Sequence, residues 1–464
     1  MRFRELSGKR VVVWGFGAEG QAALDLLSRH ASPRSVVVAT DEDPSAPTTP
    51  SGVPWLRIGD VDFDAVDVVL KSPGVSPRHR VMEEEIVRRS IPVTGGTALW
   101  FAETEGRRTI AVTGSKGKST TSSLTAHFLV GIGIDARLAG NVGRALLDVL
   151  AEQLDGTEKV PEWYVLELSS YQTAEVQHSP EVGVLTALFP EHLDWHGSVD
   201  QYYRDKCNLF AHRSDIQVAA NADNEAVAAR LRELPHVTAY GVDRGIHVVG
   251  TVVTDADGST LVDLAQSKLV GRHNALNVCG ALTALRLAGF DLQTHRSALA
   301  AALASFRPLA HRLEPVGEHR GRLVVDDSLS TAPQAAVAAL AAFDDRPVGI
   351  IVGGHDRGLD YQPLADALAA RTAPTWVCGV PFSGERIIPL IESTLLACGT
   401  DRNLVQVAGF DDFDAAVLHA AAVVPEGGVL LLSPAAPSFG KFRNYVERGQ
   451  HFRALLGLST SKAT

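Results

Sequence analysis

Short, nearly unbroken apolar runs recur along the chain, separated by longer segments in which apolar positions return every three or four residues. The runs lie at Arg10–Trp14, Ser35–Ala39, Val66–Leu70, Thr109–Thr113, Tyr164–Leu168, Val182–Leu188, Leu323–Val325, Val348–Val352, Trp376–Gly379 and Val429–Leu432. A half-exposed strand alternates apolar and polar residues, whereas a strand covered on both faces is apolar throughout, so these runs predict buried strands. Segments between them, such as Pro333–Phe343 and Phe439–Leu455, predict helices. Strand and helix in alternation predict an α/β fold of mostly parallel sheets with helices on both sides. Two polar or proline-bearing stretches, "AETEGRRT" (102–109) and "SFRPLAHRLEPV" (305–316), mark seams. They divide the chain into three expected domains, 1–105, 106–308 and 309–464.

Composition narrows the class. The 464 residues are 45% hydrophobic and 21% charged, as in soluble globular proteins. A net charge of −11 argues against a nucleic-acid partner or an acidic-membrane surface. The four cysteines (207, 279, 378 and 398) form no C-x-x-C pair, which argues against disulfides and structural zinc. Charge appears early in "MRFRELSGKRVVVWGFG" and no apolar run is long enough to span a membrane. The expectation is a cytoplasmic monomer without membrane insertion.

Candidate chemistry sits at the ends of the predicted strands. "VVVWGFGAEG" (11–20) carries Gly15, Gly17 and Gly20 in the G-x-G-x-x-G spacing after a strand, with Asp41 about twenty residues on. Backbone N–H groups at a helix N-terminus there would face a diphosphate, whether of NAD or of another ligand. "KSPGVSP" (71–77) puts Ser72, Pro73 and Gly74 on a tight loop that either faces the same ligand or is a plain turn. "TIAVTGSKGKSTT" (109–121) is a shortened phosphate loop, its first glycine three residues before Gly117. Its chemistry is intact: N–H groups from Ser115 to Ser119 cradle phosphates, Lys118 reaches the terminal ones, and the Ser119 hydroxyl suits Mg²⁺. ATP use follows from this motif.

Glu167 ends an apolar run in "YVLELSSYQ" (164–172), where a carboxylate is costly unless paired or metal-bound. "LFPEHLDWHGSVDQYYRDKCNLF" (188–210) holds Glu191, His192, Asp194, His196 and Lys206; on their own these do not specify a metal. "GRHNALN" (271–277) is expected to open a helix after a strand, with His273 and Asn274 either meeting a nucleoside or capping. "HRLE" (311–314) gives Arg312 near a seam. "VVDDSLSTAP" (324–333) places Asp327 and Thr331 before a helix, with Thr331 a candidate N-cap. "VGGHDRGLDY" (352–361) and "LLSPAAPSFGKFRNYVERG" (431–449) are strand–loop–helix segments expected to present Arg357, Ser433, Ser438 and Phe439 on one face.

Taken in order, "TGSKGKSTT", "GNVG" (140–143), "ELSSYQ", "EHLDWH", "HNALN", "HRLE", "DDSLST" and "LLSPAAPSFGKFRNYVERG" resemble the Mur ligases of peptidoglycan synthesis, and within them the MurD-type branch that adds glutamate to UDP-N-acetylmuramoyl-L-alanine. The resemblance covers the whole chain. It implies a Rossmann-like first domain holding the UDP substrate, a P-loop ATPase-like central domain and a Rossmann-like third domain for glutamate. By the same resemblance, Gly15, Phe16, Gly17, Ser72, Pro73, Gly74, Asn141, Ser169, Thr331, Arg357, Ser433 and Phe439 bind substrates. Gly114, Ser115, Lys116, Gly117, Lys118, Ser119, Thr120, Asn274, Arg312 and Asp327 bind ATP. Ser119, Glu167, His192 and Lys206 serve up to two Mg²⁺ ions, Lys206 as a carbamate. Lys118, Lys206, Glu191, His192 and Arg312 support catalysis.

The implied reaction is carboxylate activation by ATP through an acyl phosphate, followed by attack of the glutamate amine. The chain departs from the usual D-glutamate ligase in three places. Arg357 and Leu329 stand where that enzyme has lysines, and Glu191 where it has an aspartate. A guanidinium is a planar fork and an ammonium a point charge, so carboxylates would be held differently. "FPEHLDWHGS" and "GGHDRGLDY" look more like the branch that adds L-glutamate; D-glutamate is the alternative. An NAD oxidoreductase leaves the phosphate loop, Glu167 and Lys206 unexplained. A nucleotide-binding protein without catalysis would bind ATP but release no ADP on substrate addition.

Overall fold

The fold is described from a computed structural model, over residues 1–157 and 159–458. The chain gathers into two compact units, one of Met1–Ser267 with Leu276–Phe306, the other of Lys268–Ala275 with Arg307–Thr464. Among the described residues no helix is long and apolar enough to cross a membrane, and the four cysteines are free thiols.

The first unit holds three sheets. β1 (Arg10–Trp14), β2 (Ser35–Thr40), β3 (Trp55–Arg57), β4 (Val68–Lys71) and β5 (Val93–Thr94) form a parallel sheet in the order β3-β2-β1-β4-β5. β6 (Thr109–Thr113), β7 (Ala136–Gly140), β8 (Trp163–Glu167), β9 (Val182–Leu185), β10 (Gln217–Asn221) and β11 (Val237–Tyr240) form a second, in the order β11-β10-β9-β6-β8-β7. β6 and β8, buried along their whole length, lie inside it, as their unbroken apolar runs require. β12 (His247–Val249), β13 (Val252–Thr254) and β14 (Thr260–Asp263) make a small antiparallel sheet. One apolar cluster runs from Leu6 and Leu27 through Trp100 and Leu150 to Leu166 and Phe210, so the two parallel sheets share a core.

The second unit is a single sheet of β15 (Glu314–His319), β16 (Arg322–Asp326), β17 (Val348–Gly354), β18 (Thr375–Phe382), β19 (Val405–Gly409) and β20 (Val429–Leu432), in the order β15-β16-β20-β17-β18-β19. All pairings but β15–β16 are parallel. Helices Pro333–Ala341, Gln362–Ala369 and Gly384–Cys398 cover one face around Ile350 and Leu431; Phe413–Val423 and Tyr445–Leu455 cover the other around Ile351 and Leu432. β17 and β20 are neighbours, yet the helices that follow them pack on opposite faces. That is a topological switch point, and it opens a crevice at the strands' C-terminal ends.

The structure differs from the expected elements where the backbone's own needs prevail. β9 stops at Leu185, because Thr186 leaves the strand to bond the phosphate loop. The last helix begins at Tyr445 under an Asn444 cap, leaving 439–444 as turns. The helix Arg272–Leu287 follows a 3-10 turn at Leu264–Gln266 and not a strand. Thr331 does not cap: Ala332 is the N-cap and Pro333 the first helical residue, where a missing N–H costs nothing.

Candidate active site

The phosphate loop joins β6 to the helix Lys118–Gly131. Gly114 and Gly117 take φ of +147° and +89°, and a Cβ would lie 2.0 Å from Thr186 Oγ1 at the first and 2.5 Å from Asn277 Oδ1 at the second. Both positions therefore require glycine. The loop is pinned from several sides. Ser115 Oγ lies 2.8 Å from the Tyr202 hydroxyl and donates to the Phe189 carbonyl, also at 2.8 Å. Thr186 Oγ1 donates to the Lys116 carbonyl at 2.7 Å, and Lys118 Nζ to the Ser115 carbonyl at 3.1 Å. Ser119 is buried at the helix's first turn, with Thr120 half-buried beside it.

Parallel pairing of Val112 with Glu167 sets the Glu167 carboxylate beside the loop's entry. Glu167 is only 4% exposed, and its Oε2 has no hydrogen-bond partner among the described residues. A buried carboxylate oxygen left unbonded is a hard oxygen donor, as is the Ser119 hydroxyl, and both donor types fit Mg²⁺. Asn141, exposed at the end of β7, donates its N–H to the Glu167 carbonyl at 3.0 Å. Ser169 and Gln172 cap each other's backbone in a capping box at the turn after β8.

Lys206 comes from the helix Val199–Cys207 and is 2% exposed. Its Nζ donates to the Gly114 carbonyl at 2.7 Å and lies 4.6 Å from the Tyr202 ring centre. Among the described residues no carboxylate forms an ion pair with it. Burial, reinforced by Lys118 and against the pull of Glu191, holds its ammonium well below the usual lysine range. Glu191 pairs with Lys116 at 2.6 Å. Burial works against its charge, but Lys116 prevails and keeps the carboxyl below its ordinary value. His192 takes φ of +54° and lies exposed, its ring 5.0 Å from that of Tyr171.

In the first sheet, Gly15, Phe16 and Gly17 form the turn out of β1, and Phe16 packs edge-on against Trp55. Ser72 bonds that turn twice, N–H to the Trp14 carbonyl at 2.8 Å and Oγ to the Gly15 carbonyl at 3.3 Å, so Ser72–Pro73–Gly74 lies against the glycine turn. Asp41 Oδ1 accepts the Trp14 indole N–H at 3.0 Å. The Gly74 carbonyl accepts from the Trp195 indole at 3.2 Å, which ties this loop to "EHLDWH".

In the second unit, Asn274 donates to the Val270 carbonyl at 2.8 Å, and the Arg312 side chain is half-buried. Asp327 accepts from Ser433 Oγ at 2.7 Å and the Leu313 N–H at 3.0 Å. Burial pushes its carboxyl up to about 7. Ser433 is thus fully buried beneath the sheet's edge and does not share an open face with Arg357, because Asp327 claims its hydroxyl. The loop after β17 is held by Gly353 N–H to the Pro434 carbonyl (2.8 Å) and His355 N–H to the Pro437 carbonyl (2.9 Å). Asp356 is bound by both oxygens to Arg386, leaving Arg357 exposed, with no side-chain hydrogen bond or ion pair among the described residues. Phe439 is exposed, its ring 6.2 Å from that of His355; Thr331 is half-buried.

Some site residues escape sequence reasoning. Asp205 Oδ2 lies 2.5 Å from His196 Nδ1, and His196 Nε2 lies 3.0 Å from Ser170 Oγ, a buried chain that fixes the turn after β8. Lys71, fully buried, pairs with Glu175 at 2.8 Å and donates to the Val75 carbonyl at 2.9 Å. Burial raises the neighbouring Glu19 carboxyl to about 7, against the pull of Lys71. A lysine ending an apolar strand was the available signal.

Residues 112–285 match the family model "Mur ligase middle domain", and residues 311–436 match "Mur ligase, glutamate ligase domain". A protein of Salinispora tropica named UDP-N-acetylmuramoyl-L-alanine--L-glutamate ligase is 44% identical, over 97% of this chain and 98% of its own length. One of the same name from Xanthomonas euvesicatoria is 38% identical, over 98% and 97%. Among solved structures, a MurF ligase from Thermotoga maritima in complex with ADP superposes with a TM-score of 0.57 at 16% identity, over 97% of this chain and 95% of its own. A UDP-N-acetylmuramate-alanine ligase from the same organism gives 0.54 at 18%, over 96% and 98%. At these identities the two structures speak to the fold.

Proposed function

The chain belongs to the Mur ligase family, and we propose that it joins L-glutamate to the alanyl carboxylate of UDP-N-acetylmuramoyl-L-alanine, with ATP giving ADP and phosphate, as a cytoplasmic step of peptidoglycan precursor synthesis. The observation that carries this reading is the shortened phosphate loop with a buried, carboxylate-free lysine bonded to its first glycine. The names of these relatives, and an arginine at 357 where the D-glutamate ligase has lysine, favour glutamate in the L form.

In this reading the loop N–H groups and Lys118 draw negative charge off the β- and γ-phosphates. Ser119 and Glu167, with His192, would hold Mg²⁺, which would add to this charge neutralisation. The alanyl carboxylate attacks the γ-phosphorus, the bond to the β-phosphate oxygen breaks, ADP leaves, and an acyl phosphate is formed. The amine of glutamate then attacks the acyl carbon, loses a proton, and phosphate leaves as the tetrahedral intermediate collapses. Glu191, paired with Lys116, stays ionised and holds that lysine in place. Lys206, its ammonium form disfavoured by burial, attacks CO₂ as the free amine and releases a proton to become a carbamate, which puts an anionic ligand in place of a buried amine. Asn274, Arg312 and Asp327 serve the nucleoside and phosphates of ATP; Gly15–Gly17 and Ser72–Gly74 serve the UDP group; Arg357 takes a glutamate carboxylate.

The test supplies ATP, Mg²⁺, UDP-N-acetylmuramoyl-L-alanine and one glutamate enantiomer at a time. Phosphate release with the L form alone is the expected result. Release with D-glutamate alone would overturn the stereochemical assignment and keep the ligase; no release with either would overturn both.

A further inference from the structure

Lys71 closes β4 after three apolar residues and is fully buried. An apolar residue there would serve the core as well, because a buried ion pair seldom stabilises more than apolar packing of similar volume. Buried pairs are best attested where they fix a register. The destinations of this ammonium's three protons show what it fixes.

Two go to its own loop. Nζ donates to the Val75 carbonyl at 2.9 Å and to the Ser72 carbonyl at 3.4 Å, so the ammonium braces the turn Ser72–Pro73–Gly74 from both ends. The third goes to Glu175 Oε1 at 2.8 Å, just beyond the helix Ser170–Thr173 that follows β8 of the second sheet. The ammonium also lies 5.9 Å from the centre of the Trp195 ring. Trp195 belongs to the helix Leu193–His196 and returns to the same loop. Its indole N–H donates to the Gly74 carbonyl at 3.2 Å, and its own carbonyl accepts from Arg78 Nη1 at 2.7 Å.

The loop is thus docked on two segments of the second sheet, one running on from Glu167 and the other from His192. The glycine turn after β1 reaches the same place. Glu19, from the first turn of the helix Ala18–His30, lines a small cavity with Lys71, Pro73, Thr97, Gln172 and Glu175. A Cβ on Gly96 would lie 2.6 Å from Glu19 Oε1, so the helix Gly96–Thr104 closes tightly over this cluster.

We propose that Lys71 is a positioning residue for the UDP-muramoyl substrate: its ammonium locks the Ser72–Gly74 loop onto the segments that run on from Glu167 and His192, and so sets where a sugar held by that loop stands relative to the phosphate loop. The inference rests on the substrate reading above, in which Ser72–Gly74 serves the UDP group. Lys71 itself bonds the loop's carbonyls and Glu175, and acts on the substrate only through them.

The test is calorimetric titration of the full-length enzyme with UDP-N-acetylmuramoyl-L-alanine and, separately, with ATP and Mg²⁺. Lys71→Met keeps an apolar stem and removes the charge. It is expected to weaken the UDP-sugar about tenfold or more, the scale of losing a charged hydrogen bond, and to leave ATP affinity nearly unchanged. Glu175→Gln, at a half-buried position, keeps an acceptor and loses the charge. It is expected to weaken the UDP-sugar alone, by about threefold. The two changes together are expected to cost less than the product of their separate factors, since each removes the same bond. Unchanged UDP-sugar affinity in either folded variant, or factors that multiply, would overturn the positioning role. So would an equal loss for both ligands, which marks a lysine that serves the fold alone. If Lys71→Met does not fold, Glu175→Gln decides by itself. A wild-type enzyme that binds no UDP-sugar would remove the substrate reading, whereas wild-type binding with unaltered variants removes only the role of Lys71.

Discussion

Single residues carry the chemistry, and two buried groups make it measurable. Lys206 has lost its usual proton affinity to burial and to Lys118. If it acts as a carbamate, Lys206→Ala is expected to cost about a hundredfold or more in kcat, the scale of removing one preorganised charge, with partial recovery in a short-chain carboxylate. Full activity in that variant would contradict the carbamate. Asp327 offers a test of stability. Its carboxyl rises from 3.8 unfolded to about 7 folded, chiefly by burial. The native state therefore holds a proton that the unfolded state loses, so this group's contribution is full below pH 3.8 and is lost as pH rises through 7. Asp327→Asn is expected to remove that loss, gaining on wild type by on the order of 4 kcal/mol between pH 4 and 8 in denaturant melts. A pH-independent difference would show that Asp327 titrates normally. Glu167 and Lys118 stand out in the sequence because a charged residue in an apolar run or a glycine loop is conspicuous, whereas the expected role of Lys206 came only from the resemblance to Mur ligases. Asp205 was not legible, since nothing in "YYRDKC" says which of its polar residues meets the His196 ring.

At the scale of elements, the strand–loop–helix units were legible because apolar period and glycine spacing are local properties. Their fixings were not. Thr186, Tyr202 and Asn277 hold the phosphate loop from 70 or more residues away, and only the pairing of β6 with β8 and β9 brings the loop's flanks together. Ser433 shows the converse error: its place in a strand-end loop pointed to an open face, but the Asp327 carboxylate draws it inward. The loop's geometry leads to a sharp expectation. Gly117→Ala places a methyl group 2.5 Å from Asn277 Oδ1 at a φ of +89°. ATP affinity in equilibrium titration is expected to fall by about tenfold or more, while β6 and its helix, anchored by their own apolar contacts, keep the melting profile. Unaltered ATP binding would mean that the loop does not need its left-handed turn.

At the scale of the molecule, motif order made the family legible before any coordinate. Near-full-length relatives at 38–44% identity point to the same family. Neither motif order nor identity displays the reaction path, which depends on the alanyl carboxylate attacking phosphorus. The most direct measurement labels that carboxylate with ¹⁸O and analyses the phosphate released during turnover with ATP and L-glutamate. An acyl phosphate transfers one carboxylate oxygen to phosphate, so we expect phosphate carrying a single ¹⁸O for each peptide bond made. Unlabelled phosphate accompanying product would contradict carboxylate activation and, with it, the account of this site.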